Sequence, residues 1–358
     1  MNFDLDEDQR HLEDTLHRYF SRDFGPAKVR EVFEGDGGAD GALWRDLSAL
    51  GLFSILVPEA DGGTGGQLLD LAVAAECLGF AAAPGPFLDH VLATLAIVLA
   101  GSPSQRAALL PGLASGAHRA TIAICEPDGR WEPAALAIGG ERLEGTKTWV
   151  LGAGAADLVV LVLSDGLALV EGGAEGAVAR PVDSIDRTRR FAALELSAPE
   201  HERLPGGLDA ARRVLDAGSV LLAADAYGGA ERCLREAVEY AKQREQFGVT
   251  IGHFQAVKHQ LADLALAVEP ARGLYWYAAH AWDHVPEDAS RFASLAKAHI
   301  TERYLDAARR SIEVHGGIGY TWECDLHFYL RRAIFDRAYL GLPSGHRERF
   351  ARLTGWGR

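Results

Sequence analysis

Between residues 5 and about 114, apolar side chains recur three and four positions apart, as in Leu12, Leu16, Tyr19 and Phe20 and again in Leu43, Leu47, Leu50 and Leu52. That spacing lines one face of a helix. Turn-forming stretches punctuate the pattern: Gly35-Asp36-Gly37-Gly38, Pro58-Glu59-Ala60-Asp61-Gly62-Gly63 and Pro84-Gly85-Pro86. From about 120 to 204 the pattern shortens to apolar or alternating runs at 120–124, 149–151, 158–163 and 167–170, and predicts a compact β domain of short strands. After Pro205-Gly206-Gly207 helix-length periodicity returns over 208–242, 254–284 and 289–314. A shorter segment around 326–338 completes an expected antiparallel four-helix bundle. The fold class expected is α+β, with a helical domain over 1–117, a β domain over 118–204 and a bundle over 205–358.

Composition narrows the partners. At 358 residues, 48% of them hydrophobic, the chain can fill two or three packed cores. A formal net charge of −14 argues against a nucleic-acid groove or an anionic membrane surface, both of which need clustered Lys and Arg. The basic run at 187–190 is expected to be solvated surface. Cys77, Cys125, Cys233 and Cys324 are scattered without metal-ligand spacing, which suits reduced thiols in a cytoplasm. The acidic start, Asp4, Asp6, Glu7 and Asp8, is unlike an export signal, and the longest apolar stretch, 91–100, falls short of the roughly 20 residues that span a bilayer. A soluble cytoplasmic protein is expected.

Two glycine-containing stretches carry candidate chemistry. Arg244-Glu245-Gln246-Phe247-Gly248, followed by Ile251-Gly252-His253-Phe254-Gln255, could be a plain helix end with Gly248 as the cap. His315-Gly316-Gly317-Ile318-Gly319-Tyr320 could be a plain glycine loop. Two such elements, each closing a long bundle helix, are less ordinary than either alone. Together with Pro58 to Gly63, Thr146-Lys147-Thr148-Trp149-Val150 and the closing Arg331-Arg332-Ala333-Ile334-Phe335-Asp336-Arg337-Ala338-Tyr339-Leu340-Gly341, they resemble the flavin-dependent acyl-CoA dehydrogenases over essentially the whole chain.

The resemblance implies a helical N-terminal domain, a central β-barrel and a C-terminal four-helix bundle, with FAD bound where two subunits meet. It implies that Arg244 faces the pyrophosphate, where a planar guanidinium fits phosphate oxygens. Phe247 and Gln255 would serve the adenosine half, Gly316 and Gly317 would bring backbone close to the cofactor, and Gln246, His315 and Gly319 are expected among the cofactor-binding residues. Trp149 would cover the flavin. Leu151 stands where a hydroxyl normally meets the reactive ring edge, and Cys125-Glu126-Pro127-Asp128-Gly129-Arg130-Trp131 lacks the serine of the family's thioester-gripping loop.

The two base positions that the resemblance implies hold Leu340 and Ala211, neither able to take up a proton from a thioester α carbon. Asp209 and Asp216 are expected on the solvated side of their helix, which leaves Asp336, four residues before Leu340, as a substitute base. The first reading is therefore the base-lacking subunit of a heteromeric (α2β2) acyl-CoA dehydrogenase, of the kind related to steroid side-chain degradation, whose homologous partner supplies the glutamate. An active homodimer using Asp336, or a flavin-free structural subunit, are the alternatives.

Other signals are weaker. Gly152-Ala153-Gly154-Ala155-Ala156-Asp157 imitates a dinucleotide fingerprint but precedes a strand-like run where a helix is required. His253 and His259 lie on different helix faces, so no metal is expected. Tyr275, Trp276 and Tyr277 are expected to pack in the bundle.

Overall fold

The computed structural model describes residues 4–35 and 41–356. The first three residues, and the 36–38 part of the first predicted turn, lie outside them. Six helices come first: α1 (Glu7–Arg22), α2 (Pro26–Glu34), α3 (Gly41–Ala49), α4 (Leu68–Phe80), α5 (Phe87–Ala100) and α6 (Pro103–Ala114). Seven strands follow: β1 (Ala120–Ala123), β2 (Glu144–Leu151), β3 (Leu158–Leu163), β4 (Gly166–Glu171), β5 (Ala177–Val182), β6 (Phe191–Ser197) and β7 (Glu202–Leu204). Then come α7 (Gly207–Gln243), a small hairpin of β8 (Glu245–Gln246) and β9 (Val249–Thr250), and α8 (Gln255–Val268), α9 (Ala271–His284), α10 (Pro286–His315), α11 (Leu326–Ala338) and α12 (Pro343–Leu353). The helix, strand, helix order follows the hydrophobic pattern. The predicted 254–284 helix is divided at Pro270, which has no N–H for the helical ladder.

Local chemistry sets several helix starts. Asp6 accepts the Gln9 N–H at 2.8 Å while the Asp6 N–H donates to Gln9 Oε1 at 3.0 Å, a reciprocal cap on α1. Ser102 and Gln105 repeat that arrangement at α6, with Pro103 at the first helical position.

These elements pack as two compact units, one of residues 30–71 and 84–218 and the other of 1–29, 72–83 and 219–358. In the first, a mixed four-stranded sheet has the order β1-β3-β4-β7 and an antiparallel three-stranded sheet the order β2-β6-β5. Leu161, Leu163 and Val170 from the first sheet share one core with Val150, Leu194 and Leu196 from the second. Helix α5, buried along most of its length, packs on β1 and α6. His90 fixes that junction: its Nε2 donates to the Leu113 carbonyl at 3.1 Å and its Nδ1 accepts the Ala120 N–H at 3.1 Å. Burial lowers its pKa to about 4, so it stays neutral and can play both parts.

In the second unit α10 packs against α8, α9, α11 and α12. Helices α4 and α7 approach to backbone contact, since a Cβ added at Gly79 would lie 1.9 Å from the Asp225 carbonyl oxygen and one at Gly228 would lie 1.9 Å from that of Glu76. Beside this crossing Arg272 pairs with Glu76 at 2.8 Å and with Glu13, and the Tyr275 hydroxyl donates to Glu76. Trp276 Nε1 donates to the Tyr275 oxygen at 2.8 Å, and the Tyr277 hydroxyl to Asp288 at 2.6 Å, so the aromatic triplet packs and bonds within the helices. Burial pushes the Glu76 carboxyl up to about 7 against the opposing pull of Arg272 and Tyr275. Among the described residues no helix is long and apolar enough to cross a membrane, and no three His, Cys, Asp or Glu side chains group to hold a metal.

The α4–α7 contact makes a stability prediction. Gly228→Ala should lower the unfolding free energy by about 1–3 kcal/mol through overpacking. Gly273→Ala on α9, where an added Cβ meets nothing within 4 Å, should be neutral or stabilising by up to about 1 kcal/mol. Urea unfolding of both variants checks the contrast; equal stability would mean that the crossing relaxes freely.

Candidate functional site

The end of α7 gathers the motif residues of the second unit. The Tyr240 carbonyl accepts the Arg244 N–H at 2.8 Å, and the Tyr240 ring stacks on His315 with centroids 4.2 Å apart. Gly252 lies against the backbone of Ala241, where a Cβ would fall 2.8 Å from its carbonyl oxygen. The stretch 244–255 and the 3-10 turn Gly316–Tyr320 are thereby anchored on the same turn of α7. Gly248 is not a helix cap: with Phe247 (φ 55°) it forms the two-residue turn of the β8–β9 hairpin, both residues left-handed. That turn thrusts Phe247 outward to 92% exposure. Arg244, Gln246 and Gln255 are exposed as well, Gln246 Nε2 donating to the Glu245 carbonyl at 2.8 Å. Gly316 (φ 64°) and Gly317 are exposed, with nothing within 4 Å of an added Cβ. Gly319 is instead buried, close to the Ile312 carbonyl. His253 and His259 are exposed.

Leu340 occupies a different place in that unit. It follows the last turn of α11 at φ 57° and is 3% exposed. The backbone around it is held by two buried side chains. Lys297 of α10 donates to the carbonyls of Asp336 at 2.7 Å, Arg337 at 3.4 Å and Gly341 at 3.2 Å. His346 of α12 donates to the Leu340 carbonyl at 3.0 Å. Burial lowers Lys297 to about 7, with Asp336 opposing, and lowers His346 to about 3. Asp336 itself is 0% exposed. Arg332, also fully buried, donates to the carbonyls of Ala82 at 3.3 Å and Ala83 at 2.9 Å, just beyond α4, and lies 3.5 Å from Asp225. Lys297 and His315 are 18 residues apart on α10, roughly 27 Å at the helical rise, so the Leu340 turn is remote from the Arg244 surface.

In the first unit β2 is bulged between Lys147 and Val150, and Trp149 sits in the bulge at φ 57°, 43% exposed, edge-on to Phe191 with centroids 5.6 Å apart. Leu151 is buried. Its N–H donates to Asp89 at 3.2 Å and its carbonyl accepts the Thr121 hydroxyl at 2.6 Å. The Cys125 loop is tied back into the domain: Glu126 accepts the N–H groups of Ala137 at 2.7 Å and Ile138 at 3.0 Å, and pairs with Lys147 at 2.9 Å. Burial opposes ionisation of Glu126, yet these donors hold its carboxyl below the usual range; burial likewise lowers Lys147 against the pull of Glu126.

Ala211 is fully buried, and Asp209 is exposed beside Arg212. Asp216 departs from expectation: it is 2% exposed, because α7 is covered on this face as well, where Ser219 and Val220 are equally buried. The basic run at 187–190 is not plain surface either. Arg187 lies over the Phe33 ring, Arg189 is buried with its Nη1 donating to the Gly85 carbonyl at 2.5 Å, and Arg190 donates to the Gly35 carbonyl. The fingerprint-like 152–157 stretch forms a single 3-10 turn, Ala153–Ala155, before β3.

Sequence models of the acyl-CoA dehydrogenase N-terminal and C-terminal domains match residues 6–117 and 206–353. The acyl-CoA dehydrogenase IpdE2 of Mycobacterium tuberculosis is 36% identical over 331 residues, covering 91% of each chain. The chain belongs to the acyl-CoA dehydrogenase family. Members of that family are oxidoreductases acting on the CH–CH group of acyl-CoA thioesters. Among solved structures, the Tcur3481-Tcur3483 steroid acyl-CoA dehydrogenase G363A variant is 32% identical with a TM-score of 0.89, covering 98% of both chains. The ChsE4-ChsE5 complex from Mycobacterium tuberculosis is 28% identical with a TM-score of 0.89, covering 100% of both.

Sequence reasoning singled out neither Lys297, His346 nor the Glu126–Lys147 pair in this acyl-CoA dehydrogenase. Glu126 and Lys147 lie inside recognised motifs, which is the one signal that could have found them; Lys297 sits mid-helix with no local mark. Lys297 makes a pH prediction. Its pKa falls from the ordinary 10.5 to about 7 on folding, so between those values the unfolded chain binds the extra proton and stability rises with pH. Urea unfolding of the wild type and Lys297→Met across this window should show the wild type gaining on the variant as pH rises. A pH-independent difference would contradict the assignment.

Proposed function

We propose that this acyl-CoA dehydrogenase chain is the base-lacking subunit of a heteromeric FAD-dependent enzyme that desaturates a CoA thioester at its α,β bond, and that a homologous partner supplies the catalytic glutamate. The observation that carries this reading is the pair of buried apolar side chains, Ala211 and Leu340, at both positions where the family resemblance places the base. Proton abstraction needs a basic group within hydrogen-bond reach of the acidic carbon. Asp336, the sequence's nearest substitute, has no exposed surface, which counts against its use as a base. The similarity to the Tcur3481-Tcur3483 steroid enzyme and to the ChsE4-ChsE5 complex supports a two-subunit assembly and a steroid-derived acyl group.

The residues present fit FAD as a shared cofactor. Arg244 offers an exposed guanidinium, Phe247 a nearly bare aromatic face, and Gly316 and Gly317 backbone unobstructed by side chains. On this reading Arg244 meets the pyrophosphate, and Phe247, Gln246 and Gln255 serve the adenosine half. His315 keeps the glycine turn in place through its stack on Tyr240, and Trp149 covers a flavin face. Bound FAD supplies the hydride acceptor; the chain's own part is to bind and orient. The roughly 27 Å along α10 between His315 and Lys297 supports a nucleotide surface that serves a neighbour's centre and not the Leu340 turn.

Two experiments test this. In the partner complex Arg244→Ala should cut FAD affinity about tenfold or more, through loss of a charge-assisted contact of about 1.5–3 kcal/mol, with the melting curve unchanged. Unaltered flavin content would remove the role. Leu340→Glu in the isolated chain should give little or no single-turnover flavin reduction with saturated acyl-CoAs. Leu151 and the Cys125 loop leave the thioester poorly held, and orientation accounts for about 7–11 kcal/mol of such a barrier. Rapid bleaching of bound flavin by this variant alone, or by the wild type alone, would show an enzyme and not a supporting subunit.

A further inference from the structure

Beside Leu151 the first unit holds a half-open cavity of about 340 Å³, one wall of which, Phe191, also touches Trp149. That volume lies within the range of small-molecule sites. Pro86, Leu151 and Phe191 give it apolar walls, and the small side chains of 152–156 leave the space open. Two guanidiniums belong to the lining. Arg119 lies over the Trp44 ring at 4.7 Å, and Arg190 gives one amino group to the Gly35 carbonyl while its Nε is buried without a partner. Neither guanidinium forms an ion pair among the described residues. Asp183 is the lining's one acid, and it is exposed.

A partly desolvated cation beside apolar walls favours an anion that brings its own apolar body, because each part then finds its complement on entering. We infer that this cavity is a binding site for a compact, ring-sized apolar molecule carrying one carboxylate, with Arg190 and Arg119 receiving the carboxylate and Phe191, Leu151 and Pro86 the ring. A carboxylate suits the site better than a phosphate, whose additional oxygens would lose water against Leu151 and Phe191 without gaining donors. The site does not depend on the subunit role proposed above, since every residue of it lies in this chain and within one unit.

Calorimetric titration of the full-length chain with 2-naphthoate and with 2-naphthamide, which differ in charge and hardly in shape, tests the site. Naphthoate should bind about tenfold or more tightly than the amide, the scale of one charge-assisted contact. Arg190→Gln should bring naphthoate down to the level of the amide, and Arg190→Lys should retain part of the preference. Because Arg190 also holds the Gly35 carbonyl, a second variant guards against misfolding: Ala155→Trp places bulk in the cavity from an exposed lining position and should abolish binding of both probes without altering the melting curve. Equal affinity for the two probes, no binding of either, or undiminished naphthoate binding by Ala155→Trp would each overturn the proposal.

Discussion

A helix that ends inside a protein leaves carbonyl groups that water cannot reach, and they must find donors. Two buried basic side chains meet that demand in the second unit. Lys297 of α10 closes the end of α11, and Arg332 of α11 reaches the carbonyls just beyond α4 while lying beside Asp225 of α7. Each donor sits at the C-terminal end of a helix, where the dipole is negative and carbonyls lack intrahelical partners. The turn that presents Leu340 exists in its observed form because this relay fixes the backbone on both sides of it. Deleting a donor would strand buried carbonyls, which is costlier than the loss of an ordinary surface contact.

Backbone strain picks out three of the motif residues more sharply than composition does. Among the described residues five non-glycine residues have positive φ, and three of them are Trp149, Phe247 and Leu340, large side chains held in a conformation that L-residues avoid. Such a conformation costs of order 1–3 kcal/mol and persists only where its surroundings enforce it. A strand bulge enforces it at Trp149, a two-residue hairpin turn at Phe247, and Lys297 with His346 at Leu340. In each case the strain sets where the side chain goes. Trp149 and Phe247 are turned outward, whereas Leu340 is turned into the fold.

The buried Glu126–Lys147 pair has a comparable part in the first unit. Glu126 is bound by two backbone N–H groups and an ammonium, which compensates a carboxylate out of water well enough to keep it ionised. The 125–131 loop is therefore anchored to its domain at Glu126.

The sequence by itself determined the order of helices and strands, because apolar periodicity is a local property, and it determined the Arg244–Gln255 and His315–Tyr320 elements, because glycine and motif spacing are local too. It also put Leu340 and Ala211 where a carboxylate was expected. Tertiary structure alone decided which charges are buried. Asp216 and Arg189 look solvated by local pattern, yet neighbouring segments cover them. The partners of Lys297 lie 39 to 44 residues away, so no spacing within α10 could announce them. The cavity beside Arg119 and Arg190 likewise draws on segments from 85 to 192 that only folding brings together. Helical and strand periodicity arise from contacts along the chain and can be read from it; desolvation, helix-end capping and cavities arise from what packs against a residue, and that is settled only in three dimensions.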